Sequence, residues 1–256
     1  MKPFVAFLKK ELLESVRSSK FLILGALFLA FGIMNPMIAK LTPWLMETLS
    51  KELAESGMTI TAVSVDALTS WTQFFKNIPM ALIVFVFMHG NIFTKEYESS
   101  TLILILTKGL ARYKIVLAKT LVMLFGWTAG YFLTFAITYA YNAYFWDNGV
   151  VSNLACAVVN WWLFGVYVIA LVVLFSVISK SFSGVLVGTV ALIAIPYVMG
   201  VFPKLSKYVP TQLMSTNSLL VGTHDSKDFA FAICITAVLS LSCIVCSIPI
   251  FNKKQL

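Results

Sequence analysis

The chain has 256 residues, of which 59% are apolar and only 12% charged, with a formal net charge of +8 and a mean hydropathy of +0.89. Soluble domains are typically half apolar and a quarter charged, so a water-soluble fold, a disordered chain and a disulfide scaffold are all excluded. The apolar residues come in long blocks without the polar–apolar alternation of barrel strands, which leaves an all-α integral membrane protein.

In chain order, residues 1–20 carry apolar Phe4, Leu8, Leu12 and Val16 at four-residue spacing, with Lys9, Lys10, Glu14 and Arg17 off that stripe. This pattern predicts an amphipathic helix lying on the membrane surface. Six blocks then have the length and polarity of spans: 21–39, 78–93, 120–141, 154–178, 184–202 and 229–251. None of these blocks contains Asp, Glu, Lys or Arg; the second is short and can borrow length from Trp71–Phe75 upstream. Thr42-Pro43 followed by Trp44, Leu45, Leu49 and Leu53 predicts a separate interfacial helix with proline in its first turn. Trp146–Gly149 reads as a tight turn, and 203–227, too apolar for a solvated loop, as a re-entrant or interfacial hairpin. No internal repeat or second domain breaks the chain, so 1–256 is expected to be a single transmembrane domain.

Counting basic residues sets the orientation. With both termini on one side, that side carries thirteen of the nineteen cations against four acids, and the opposite side six cations against seven acids. The positive-inside rule therefore predicts both termini in the cytoplasm of a multi-pass protein of the cell membrane.

Catalytic motifs are missing. The sequence has no G-x-x-x-x-G-K-S/T phosphate loop, no H-E-x-x-H, no G-x-S-x-G and no carboxylate pair at span depth, so neither an enzyme nor an ion-driven pump is expected. Cys156, Cys234, Cys243 and Cys246 all lie in apolar blocks, where Cys243 and Cys246 read as packing residues, and no metal site is expected. His89 near the end of the second block reads as a hydrogen-bonded packing residue.

The informative segment is 95–114, between the second and third spans. Glu96 and Glu98 precede the apolar run Leu102–Leu106, which is followed by Lys108, Arg112 and Lys114. Such a run should be covered, and a helix docking into a groove of another protein is the natural solution. Here the chain resembles the type-2 ABC transporter permeases. Glu96, Glu98, Thr101 and Leu102 match an E-x-E-x-G-T-leucine pattern, and Leu110-Ala111-Arg112 with Lys119 matches the stretch that opens span three; Ser100 replaces the usual glycine and Lys108-Gly109 the usual proline. The resemblance implies a subunit that forms a homodimer above two ABC ATPase subunits. Its coupling helix would be built from Glu96, Glu98, Ser100, Thr101, Leu102, Leu106, Lys108 and Arg112. ATP and Mg would bind the partner subunits, and no cofactor would bind this chain.

Gly126/Gly130 and Gly184/Gly188 are G-x-x-x-G pairs suited to close helix packing, and the resemblance makes the second pair the candidate dimer contact. Uncharged spans predict an apolar or amphipathic cargo such as a small peptide, toxin or drug, exported along a path to which Met34, Met37 and Met199 would add adaptable surface. The alternatives are an accessory membrane protein without its own path, or a permease for a lipid or for metal or sodium extrusion.

Overall fold

The computed structural model describes residues 2–54, 65–99, 101–107 and 109–254. The described residues contain no strand. Helix α1 (Lys2–Arg17) is followed by a tight turn in which Ser19 takes a left-handed conformation, φ 58°, and then by α2 (Lys20–Ala54) and α3 (Ala67–His89). Two short helices, α4 (Thr94–Glu98) and α5 (Thr101–Thr107), lead to α6 (Arg112–Phe145), then α7 (Leu154–Ile178) and α8 (Phe182–Gly200). The 203–227 region forms α9 (Pro203–Ser206), a 3-10 turn at Pro210–Met214 and α10 (Thr216–Leu220), before α11 (Ala230–Lys253) closes the bundle. Among the described residues, six helices are long and apolar enough to cross a membrane: α2, α3, α6, α7, α8 and α11.

Boundaries differ from the sequence expectation in instructive ways. The interfacial helix expected at Thr42-Pro43 does not start anew; α2 runs through Pro36 and Pro43 to Ala54, about 50 Å at 1.5 Å per residue. Prolines are tolerated in such helices where other groups re-satisfy the backbone, and the Thr42 hydroxyl donates to the Ile38 carbonyl at 2.8 Å. The second span begins eleven residues earlier than 78, because Asp66 caps it by accepting from the Thr69 amide at 3.0 Å, and it stops at His89 rather than 93. The third begins at Arg112 and so takes Lys119 inside the helix, which means the helices are not free of charge.

Helix α7 is the centre of the bundle. It is apolar on every side and packs against α6, α8 and α11, as a helix without a polar face must. Around it stand Trp71, Phe74 and Phe85 of α3, Trp127 and Tyr131 of α6, and Trp161 of α7 itself, all buried. Two polar tips in this aromatic core are satisfied across helices: Tyr131 Oη donates to the Val158 carbonyl at 2.8 Å and Trp127 Nε1 to the Trp162 carbonyl at 3.2 Å. A polar seam joins α2, α3 and α6. Asn77 donates to Asn35 at 2.8 Å, Asn35 to Thr138 at 3.3 Å, and Thr134 to the Phe28 carbonyl at 2.8 Å. In a bilayer such bonds hold helices together where the hydrophobic effect cannot.

The glycine pairs serve this packing. Gly130 gives room to the Phe28 ring, and Gly126 faces Phe21 and Phe85. Gly184 and Gly188, expected at a subunit contact, lie against Ser179 and Phe175 of the same chain, a close approach that leaves no space for a Cβ. The hairpin region packs on α7 through buried Leu213, Leu219 and Leu220, and the Ser152 amide donates to the Leu220 carbonyl at 3.2 Å.

Candidate functional site

The segment from Thr94 to Arg112 is built with two sides. Glu98 and Thr101 are exposed, as is Ile103 (45%), whereas Glu96, Leu102 (1%) and Leu110 are buried against the bundle. Leu106 is half-buried against the same core. Of the residues expected to meet a partner, Glu98 and Thr101 are on the open side. Leu102 is not: it anchors the segment to its own chain, because an apolar side chain at the start of a seven-residue helix buries most surface by folding back. Ser100 and Lys108 lie outside the described residues. Arg112 also turns inward; its guanidinium donates to the carbonyls of Phe251 (2.9 Å), Asn252 (3.2 Å) and Lys254 (2.7 Å), satisfying the open end of α11.

Glu96 has a different task from the one its motif position implies. Its carboxylate and that of Glu11 on α1 each bridge the same two ammonium groups. Glu11 contacts Lys10 and Lys119 at 2.9 Å each, and Glu96 contacts Lys119 at 3.0 Å and Lys10 at 3.3 Å. The four side chains close a square of alternating charge. The Lys119–Glu96 edge is an ion pair without hydrogen-bond geometry, while Lys119 donates squarely to Glu11. Three corners are withdrawn from solvent, with side-chain exposures of 2% for Lys119, 6% for Glu11 and 9% for Glu96. The rings of Phe7 and Phe93 flank the Lys119 ammonium at 5.9 and 5.5 Å, within cation–π range. Lys10 is the half-exposed corner and also pairs with Glu14 at 2.8 Å. Burial alone would pull the Lys10 ammonium down, but hydrogen bonds to Glu14 and Glu11 outweigh it and hold Lys10 above its ordinary 10.5. The same bond to Lys10 holds the Glu14 carboxyl below 4.5.

This square ties three elements together at one point: α1, the start of the 94–107 segment and α6. Phe7 and Glu11 face the protein, and Val16 of the expected stripe is 59% exposed together with Val5 and Leu13. The signal available in the sequence was Lys119 itself, one residue from a long apolar block, and Glu11 one helical turn after Phe7.

The same end of the bundle carries the C-terminal region. The Lys254 ammonium donates to the Ser179 carbonyl at 2.9 Å beyond α7 and lies 4.1 Å from the Tyr97 ring. Both terminal regions, the 94–112 segment and the α7–α8 turn are therefore gathered together, opposite the end where Trp71 Nε1 donates to Asn148 at 3.1 Å. Of the methionines expected along a cargo path, Met37 and Met199 are exposed on α2 and α8, and Met34 is half-buried.

No curated protein and no solved structure matches the chain. The sequence model of a family described as ABC-2 family transporter protein matches residues 5–248, nearly the whole length and every element described above except the extreme ends. The chain therefore belongs to the ABC-2 transporter family and is a multi-pass membrane component of a transporter.

Proposed function

We propose that the chain is the permease subunit of an ATP-driven exporter, working as two copies above two ATPase subunits and moving an apolar or amphipathic cargo out of the cell. The observation that carries the reading is the two-sided 94–107 segment. One side is fixed to the bundle by Leu102 and by Glu96, and the other presents Glu98, Thr101 and Ile103 at the end holding both terminal regions. Excess cations at that end support a cytoplasmic position, where an ATPase can reach it. Closure of the ATPases on ATP and Mg would push on this segment, and the charge square would pass the push to α1 and α6 together. The phosphate chemistry stays on the partner.

The experiment separates the two sides of the segment. Ile103→Asp removes an apolar contact from the open side and should reduce retention of the co-expressed ATPase about tenfold while leaving the stability of the permease unchanged. Leu102→Asp should instead destabilise the permease itself, because a carboxylate replaces a core residue. Wild-type ATPase retention and transport by the Ile103 variant would overturn the reading.

A further inference from the structure

Helices α3 and α8 both pack on α7 and leave a slot between them whose floor is α7. The slot has a volume of about 220 Å³ and runs along α3 from Pro79 to Phe87, about 12 Å. Leu82 and Val86 form one wall, Val190 and Ile193 the other, and Phe164 and Val168 the floor. Its one hydroxyl, on Thr189, donates to the Val185 carbonyl at 2.8 Å, and among the described residues the indole N–H of the lining Trp161 has no partner. At the end nearer the terminal regions the two walls are pinched together, with the rings of Phe87 and Phe182 6.2 Å apart.

At the other end the slot stops at Met214 of the Pro210–Met214 turn. Beyond that side chain lies a second cavity of about 400 Å³, lined by Tyr197, Gln212 and Ser215 and by Ser206 and Thr211, whose hydroxyls donate to the Pro203 and Pro196 carbonyls at 3.0 and 3.1 Å. Trp161 and Met214 line both spaces, so an apolar slot and an uncharged, hydroxyl-rich chamber share one wall. The pair has the polarity profile of one molecule with a hydrocarbon tail and a neutral hydrogen-bonding head. A narrow slot admits a single chain, and the chamber's own lining offers no counter-ion to an ionic head; the nearest lining charge, Lys76, belongs to the neighbouring cavity that shares Met214 and Ser215.

From this juxtaposition we infer that each subunit carries its own site for a single-chain amphiphile with an uncharged polar head, and that this amphiphile is the cargo. The inference rests on the export reading above and narrows it. In the orientation proposed there, the head points outward and the tail toward the midplane, which is the posture of a molecule ready for release into the outer leaflet.

The test uses 1-monolauroylglycerol and its diazirine-tailed analogue with the chain in liposomes. Photolabelling of the permease alone should fall on peptides of α3, α7 and α8. Val190→Trp places an indole in the slot from a position that is 64% exposed, and should lower labelling about tenfold, as expected when two or more methylenes lose their contacts. Val187→Trp, on the same helix and 69% exposed but outside the slot, should leave labelling unchanged. In the complex with its ATPase, monolauroylglycerol should stimulate ATP hydrolysis in the wild type and the Val187 variant, and not in the Val190 variant. Labelling spread evenly over all lipid-facing helices, or unaltered by Val190→Trp, would overturn the site. Slot labelling with no effect on ATP hydrolysis would identify a resident lipid and overturn the cargo assignment. A chain that retains no ATPase fails at assembly, before any amphiphile is added, which keeps the two readings distinguishable.

Discussion

Lys119 sets the energetics at the scale of single residues. Taking a charge out of water is costly unless partners surround it, and here two carboxylates and two aromatic rings do so. Lys119→Met should leave Glu11 and Glu96 buried with Lys10 alone between them and destabilise the protein by about 3–5 kcal/mol, read as a lowered unfolding midpoint in a fixed detergent. Glu14→Gln, at a side chain 47% exposed, should change that midpoint little. A Lys119→Met protein as stable as wild type would refute the assignment. The outer corner of the square also fixes a pH dependence. The folded Glu14 carboxyl is held below 4.5, so its contribution is present above that value and is lost as pH falls through the lowered one. Lys10 is held above 10.5, so its contribution is complete below 10.5 and is lost only as pH rises beyond the raised value. Protection of α1 from protease should therefore be flat between about pH 5 and 10 and fall on the acid side, screened by salt because both groups are partly exposed.

At the scale of elements, what the sequence disclosed followed from burial, and what it concealed followed from pairing. The fourth span, 154–178, is legible to the residue because α7 is apolar all round and ends abruptly at Ser179. The second starts earlier than its apolar block because its start depends on one capping aspartate, and Lys76 within its first three turns hides it from an apolar count. Thr42-Pro43 carries a genuine helix-start pattern, overridden because an already formed α2 continues through it. The 95–114 segment is recognisable as a break between spans whose apolar run must be covered, yet the assignment of its faces is not. Glu96 and Glu98 are equivalent in the sequence; only the distant Lys119 makes one a structural ion and leaves the other at the surface. Likewise a G-x-x-x-G pair states that something comes close without stating what, and Gly188 proved to receive Phe175 of its own chain.

At the scale of the whole molecule, the grouping of the two terminal regions with the 94–112 segment makes a definite topological claim. In a cysteine-free background, Ser99→Cys and Val150→Cys should react with a membrane-impermeant maleimide from opposite faces, with Ser99 labelled only in inside-out vesicles. Reaction of both from one face would defeat the six-span arrangement. The charge square has a further implication for how the protein is made. Glu11 and Glu96 both precede Lys119 in the chain, with 23 positions separating Glu96 from the lysine, about 1–5 s of synthesis. The ammonium that must enter the bilayer boundary is thus never the first member to arrive: both of its counter-ions are already waiting on the same face. Insertion of α6 completes a neutral set, and α1 acquires its fixed seat only when the third span is in place.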